Sequence, residues 1–176
     1  MRSEYLAREE LQHILAALTR ENRLALEVSL FTGLRISDVL GLRTEQVCNS
    51  RNGRFSVREM KTGKLRRVYV RADLIDRMLK VAGKIYVFPH RTDYRKHRTR
   101  QAVYKDIRRV AKDFRLKVHV SPHSCRKVFA VNYFHKCGCD LGKVKQLLNH
   151  ENEAVTMIYA LADQLHTRTY KGGKSR

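Results

Sequence analysis

Apolar residues recur at helical spacing along almost the whole chain, and one short stretch breaks that rhythm to alternate at period two. Leu11, Ile14, Leu15 and Leu18 fall on one face of an amphipathic helix expected over 6–19. A second helix is expected over 22–32, stopped by Gly33, which accepts the left-handed backbone of a helix end. A short third helix follows over 37–42. Then Arg54-Phe55-Ser56-Val57-Arg58 alternates, and 65–70 is rich in β-branched and aromatic residues. With Lys61-Thr62-Gly63-Lys64 between them, a β-hairpin is the economical reading. Helical spacing returns over 73–81, a short strand is expected at 85–88 before Pro89, and 90–100 reads as an exposed basic loop. Further helices are expected over 99–114, 122–136, 140–148 and 153–161. The first of these has Val103, Ile107, Val110 and Phe114 on its buried side. The fold class is therefore mainly α with a small antiparallel β-sheet.

Composition narrows the partners more than the fold. The chain has 176 residues, 43% of them hydrophobic, enough for one compact domain with a core. Its 37 Lys and Arg against 17 Asp and Glu leave a formal charge of +20. Such an excess favours polyanions, nucleic acid first among them, although a merely basic, ribosomal-type protein would satisfy charge alone. No stretch approaches the run of about 20 apolar residues that a spanning helix needs. Met1 to Glu10 carries three glutamates and lacks the apolar region of a signal peptide. No membrane partner is expected. Cys48, Cys125, Cys137 and Cys139 are too sparse for a disulfide scaffold. Cys137-Gly-Cys139 lies near His135, but the gap is tighter than zinc-ligand spacing and no second pair follows. Reduced thiols and no metal site are the expectation.

Four places gather polar residues in settings that favour an anion. Arg35, in Gly33-Leu34-Arg35-Ile36-Ser37-Asp38, falls between the end of one helix and the start of the next, close to free backbone N–H groups. In Ser121-Pro122-His123-Ser124-Cys125-Arg126, Ser121 suits an N-cap and Pro122 a first helical residue. His123 and Arg126 then share one helix face near the positive end of the dipole. Two guanidiniums so placed form a phosphate clamp that never loses its charge. The hairpin turn adds Lys61 and Lys64. Finally, Leu148-Asn149-His150 precedes Tyr159 by nine residues, which on one continuous helix would set the two side chains apart. A break capped by Asn152 lets them converge. Singly these residues are weak signals: an arginine after a helix is usually solvated, and a tyrosine in an apolar helix is usually core. The ordered set is more specific than any member.

That set, Arg35, Lys61, His123-x-x-Arg126, His150 and Tyr159, resembles the tyrosine recombinase (phage integrase) family. The matching stretches are FTGLRISDVLGLRTEQV, MKTGKLRRVYV, SPHSCRKVFAVNYF and GKVKQLLNHENEAVTMIYALAD, spread over about residues 6–163. The resemblance implies the family's catalytic-domain fold over 1–163, with a basic tail over 164–176. Arg35 and Arg126 match the family's two catalytic arginines and Lys61 its hairpin lysine. His123 and His150 match its two histidine positions, and Tyr159 its nucleophile. Two departures stand out. The family's N-terminal core-binding domain is absent, so either an upstream segment is missing or this is a solitary catalytic domain like the small recombinases that invert promoter segments. Cys125 and Lys127 replace a more frequent Leu and His, which reads as packing and surface variation.

The resemblance implies site-specific recombination: integration, excision or inversion of DNA through a 3′-phosphotyrosine at Tyr159, without a cofactor. It implies Arg35 and Arg126 stabilising the phosphorane, His123 accepting the tyrosine proton, His150 hydrogen-bonding a non-bridging oxygen and Lys61 protonating the leaving 5′-oxygen. The helix opening at Thr99 would enter the major groove, with Thr99, Arg100, Gln101 and Lys105 reaching base edges. The implied partners are double-stranded DNA and other copies of the chain, a tetramer on DNA and a monomer without it, the tail docking on a neighbouring protomer. The implied location is the cytoplasm, at the nucleoid of a prokaryotic-type cell. Two alternatives stay open on sequence alone: a type IB topoisomerase-like enzyme using a similar constellation, and a DNA-binding protein without chemistry, in which the arginines only touch phosphates.

Overall fold

A computed structural model of the chain describes residues 8–116, 120–138 and 140–148. The described residues fall into two compact units that divide after Arg126. In chain order the elements are α1 (Arg8–Ala17), α2 (Arg20–Thr32), α3 (Ile36–Leu40), α4 (Thr44–Cys48), β1 (Arg54–Arg58), β2 (Leu65–Tyr69), α5 (Ala72–Val81), α6 (Arg100–Asp113), α7 (Pro122–Lys136) and α8 (Leu141–Leu148). The expected helix over 153–161, with His150, Asn152, Tyr159 and the tail over 164–176, lies outside the described residues. No helix among those described is long and apolar enough to cross a membrane.

In the first unit α2 is the central element, packed against α1, α3 and α5, while α6 lies against α1 and α3. Leu11, Ile14, Leu15 and Leu18 are all buried, as the spacing of α1 requires. Gly33 closes α2 in the left-handed region, at φ 67°, and its N–H donates to the Ser29 carbonyl. That reversal sends the chain straight into α3, so Arg35 becomes the residue preceding its first turn.

β1 and β2 pair antiparallel, with Phe55 opposite Val68 and Val57 opposite Arg66. Val57, Arg66, Val68 and Val70 are buried, and their strand neighbours face outward, as a one-sided ribbon demands. The strand expected at 85–88 is absent. Its residues meet the chain at a single bridge, Arg43 with Tyr86, where Val87 N–H donates to the Leu42 carbonyl and Thr44 N–H to the Ile85 carbonyl. The opposing segment turns directly into α4, so no ladder has room to grow. α4 itself was not expected, and Phe114, expected on the buried side of α6, is about half exposed beyond the helix end, stacked on His13.

α6 is tied to the junction of α1 and α2 by Asp106. Its carboxylate accepts from Thr19 N–H, Thr19 hydroxyl and Asn22 side-chain amide on one oxygen, and from Arg109 on the other. Arg109 also donates to the Ala17 carbonyl at the end of α1, where a cation suits the helix dipole. In the second unit α7 and α8 enclose Ala130, Val144 and Leu148, with Phe129, Tyr133, Phe134 and Cys137 around them. The Cys137 thiol donates to the carbonyls of Phe134 and Asp140, which closes the turn between the helices.

Candidate functional site

The hairpin carries an acid that holds the site's arginine. Period two along β1 puts Phe55, Val57 and the next residue but one, Glu59, on a single face. Glu59 is fully buried, at 0% exposure, against 6% for Arg35 and Arg66 and 1% for Arg126. A charge so deep is stable only with partners of opposite sign and good geometry. Arg35 Nη1 donates to Glu59 Oε2 at 3.0 Å, and Thr62 hydroxyl donates to the same oxygen at 3.0 Å. The other oxygen faces Arg66 Nη1 at 3.6 Å. Arg66 in turn donates to the carbonyls of Thr32 and Gly33, the last turn of α2 and its cap.

Asp38, one turn after Arg35, joins this cluster and accepts from Met60 N–H at 2.9 Å. Burial pushes its carboxyl above the usual range. The Met60 bond opposes that shift, the charge of Glu59 adds to it, and the charges of Arg35 and Arg126 hold it down. Both arginines therefore stand within electrostatic reach of one carboxylate. Arg126 arrives there on α7, which opens as expected: Ser121 hydroxyl accepts from His123 N–H at 3.2 Å, and Pro122 is the first helical residue. His123 is exposed and Arg126 buried on the next turn. Between them Cys125 is buried, and its thiol is pushed up to about 12, so it carries no thiolate at neutral pH.

The structure thus brings Arg35 and Arg126 together and sets the Lys61 turn beside Arg35 through Glu59. Lys61 and Lys64 are both exposed. Glu59 N–H donates to the Lys64 carbonyl, and Gly63, left-handed at φ 66°, donates its N–H back to the Glu59 carbonyl. His150 and Tyr159 lie outside the described residues. At the start of α6, Thr99 is the N-cap, its hydroxyl oxygen accepting from Ala102 N–H at 3.1 Å, and Arg100, Gln101 and Lys105 are exposed. A basic groove of about 740 Å³ follows along the helix, lined by Lys105, Arg108, Arg109, Lys112 and Arg115 among others. Glu59 and Arg66 are the residues that sequence reasoning missed.

Comparison with known proteins identifies the family and the fold. A tyrosine recombinase of Thermosipho africanus (strain TCF52B) is 30% identical over 171 residues, covering 92% of this chain and 58% of the relative. The chain thus spans little more than half of that relative's length. Among solved structures, a lambda integrase dimer bound to a COC′ core site superposes with a TM-score of 0.71 at 19% identity, over 89% of this chain and 48% of that one. A lambda integrase tetramer bound to a Holliday junction gives 0.70 at 19% identity, over the same shares. The fold is that of a tyrosine recombinase catalytic domain. The model of the phage integrase family matches residues 4–166, and with nearly the whole chain so covered, the protein belongs to the phage integrase family of tyrosine recombinases.

Proposed function

We propose that the chain is the catalytic domain of a site-specific DNA recombinase that cleaves and rejoins strands through a 3′-phosphotyrosyl link to Tyr159. The observation that supports it best is the pair Arg35 and Arg126, both buried and both within electrostatic reach of Asp38, with Arg35 held by Glu59 at the base of the lysine-bearing turn. Preorganised guanidiniums stabilise a pentacoordinate phosphorane without reorganising as its charge develops. Tyr159 attacks phosphorus while His123 takes the phenolic proton. The tyrosyl O–P bond forms, the bond to the 5′-oxygen breaks, and Lys61 delivers a proton to that oxygen. His150 donates a hydrogen bond to a non-bridging oxygen. The 5′-hydroxyl of an incoming strand reverses the step.

The double-stranded DNA partner is proposed on the +20 charge and the basic face of α6, where Thr99, Arg100, Gln101 and Lys105 would approach base edges. The lambda integrase dimer on a core site and tetramer on a Holliday junction support self-association on DNA, and four protomers acting on two sites, from a monomer without DNA, is the assembly proposed. The reaction belongs with chromosomal DNA, in the cytoplasm at the nucleoid. A nicked duplex, bearing a site selected from a randomised pool, tests the reading: on cleavage the short fragment that carries the new 5′-hydroxyl diffuses away and the enzyme is trapped on the 3′-phosphate. Wild type should form a denaturant-resistant protein–DNA adduct, and Tyr159→Phe should bind equally but form none. Binding without an adduct in wild type would leave a DNA-binding protein without chemistry. An adduct in Tyr159→Phe would move the nucleophile, with Tyr170 next.

A further inference from the structure

We propose that Glu59 is a positioning residue that sets the distance between the anion-binding arginine, Arg35, and the turn that carries the general acid, Lys61. The inference rests on the mechanism just given and adds to it a residue that touches no substrate. Glu59 is fully buried at the base of the turn, hydrogen-bonded through one carboxylate oxygen and its backbone, with the other oxygen held only by an ion pair. One carboxylate oxygen takes both Arg35 Nη1 and Thr62 hydroxyl, each at 3.0 Å. The second oxygen faces Arg66 at 3.6 Å. Its backbone N–H and carbonyl close the turn with Lys64 and Gly63, at 2.9 and 2.8 Å.

The connections form a closed circuit. Arg66 holds the carbonyls of Thr32 and Gly33, which lead directly into Arg35. Arg35 is thereby fixed at its backbone through Arg66 and at its side chain through Glu59. The turn is fixed at its backbone by Glu59 and at Thr62, the neighbour of Lys61, by the same carboxylate oxygen. One oxygen thus joins the group that neutralises the transition state to the segment that protonates the leaving group. An exposed lysine on a hairpin tip is otherwise a flexible point charge with much freedom to lose. Tethering the adjacent residue removes part of that freedom before DNA binds, and misplacement by about 1 Å is enough to slow chemistry by about a hundredfold.

A 5′-bridging sulfur substrate separates the two ends of the tether, because a thiolate leaves without protonation. On the nicked duplex with ordinary oxygen, Thr62→Val should cleave about tenfold slower, and Thr62→Ser should recover. On the sulfur substrate Thr62→Val should match wild type, since only the acid was displaced. Glu59→Gln disturbs both ends, so it should be slower than Thr62→Val on oxygen and only partly recovered on sulfur, the deficit at Arg35 remaining. Lys61→Ala is the control, slow on oxygen and rescued by sulfur. A Lys61→Ala variant equally slow on both substrates overturns the mechanism and the coupling with it. A rescued Lys61→Ala beside a Thr62→Val of wild-type rate overturns the coupling alone, as does a slow Thr62→Val that sulfur does not rescue. Should Glu59→Gln fail to fold, the Thr62 pair, on a half-buried turn residue, carries the decision.

Discussion

Arg66 is the residue on which the buried charges of the first unit most depend. It neutralises Glu59 and satisfies two carbonyls at the end of α2, and burial pulls its guanidinium below its ordinary range against the opposing charge of Glu59. Lysine carries the same charge but has one ammonium, which cannot span two carbonyls and a carboxylate. Arg66→Lys should therefore lower unfolding free energy by about 2 kcal/mol, and Arg66→Met, which leaves part of a buried carboxylate uncompensated, by about 3–5 kcal/mol. Denaturant titration measures both, and a Met variant as stable as wild type would mean the cluster is not held by charge. The sequence offered a signal for these residues that was easy to pass over. Alternation continued one step past β1 lands on Glu59, and counted back from Val70 and Val68 it lands on Arg66. A charged residue on the inward phase of a hairpin is read as an edge or a turn charge unless a partner on the other strand is sought. Arg35, His123 and Arg126 were legible for the opposite reason: each sits beside a helix boundary signal, Gly33 for the first and Ser121 with Pro122 for the other two.

The helices were legible because their apolar periodicity is long, as in α1 and α6, whose buried residues follow the expected stripe up to Phe114. Short elements were not. α4 buries only Val47, and five residues give no period to read. The apolar run 85–88 is buried at Val87 and Phe88 without being a strand, because burial alone does not supply a pairing partner. What positions α6 is a contact between residues 84 or more apart, Asp106 with Asn22 and Thr19. Burial raises the Asp106 carboxyl, but the hydrogen bonds from Asn22, Arg109 and Thr19 outweigh it and leave the group below its ordinary 3.8. A depressed carboxylate contributes stability that is complete above the unfolded value and fades as pH falls through the folded one. Asp106→Asn should therefore cost about 2 kcal/mol at neutral pH. The gap between variant and wild type should narrow once the pH drops below the ordinary 3.8 and wild type itself protonates. Thermal unfolding of both proteins across that range checks it, and a gap independent of pH would show that shape, not charge, holds α6.

At the scale of the molecule the +20 charge acts in opposite senses on the free and bound protein. Alone, the chain repels itself, so added salt should raise its melting temperature. On DNA, lysines and arginines displace counterions, so added salt should weaken binding with a slope set by the number of phosphates contacted. The basic residues of α6 do not contribute equally. Arg109 is already committed to Asp106, Asp113 and the Ala17 carbonyl, and moving it onto a phosphate would break the joint that places the helix. Lys105 is exposed one turn earlier, with no ion pair among the described residues. Lys105→Ala should therefore lower the slope of log Kd against log salt concentration by about one. Arg109→Ala should leave the slope unchanged while lowering stability, provided binding is measured well below its melting temperature. Fluorescence anisotropy of a labelled duplex over a salt series gives both slopes. If Arg109→Ala reduces the slope and Lys105→Ala does not, the face of α6 that meets DNA is rotated toward the Arg109 side, and the residues at its first turn are not the ones that read bases.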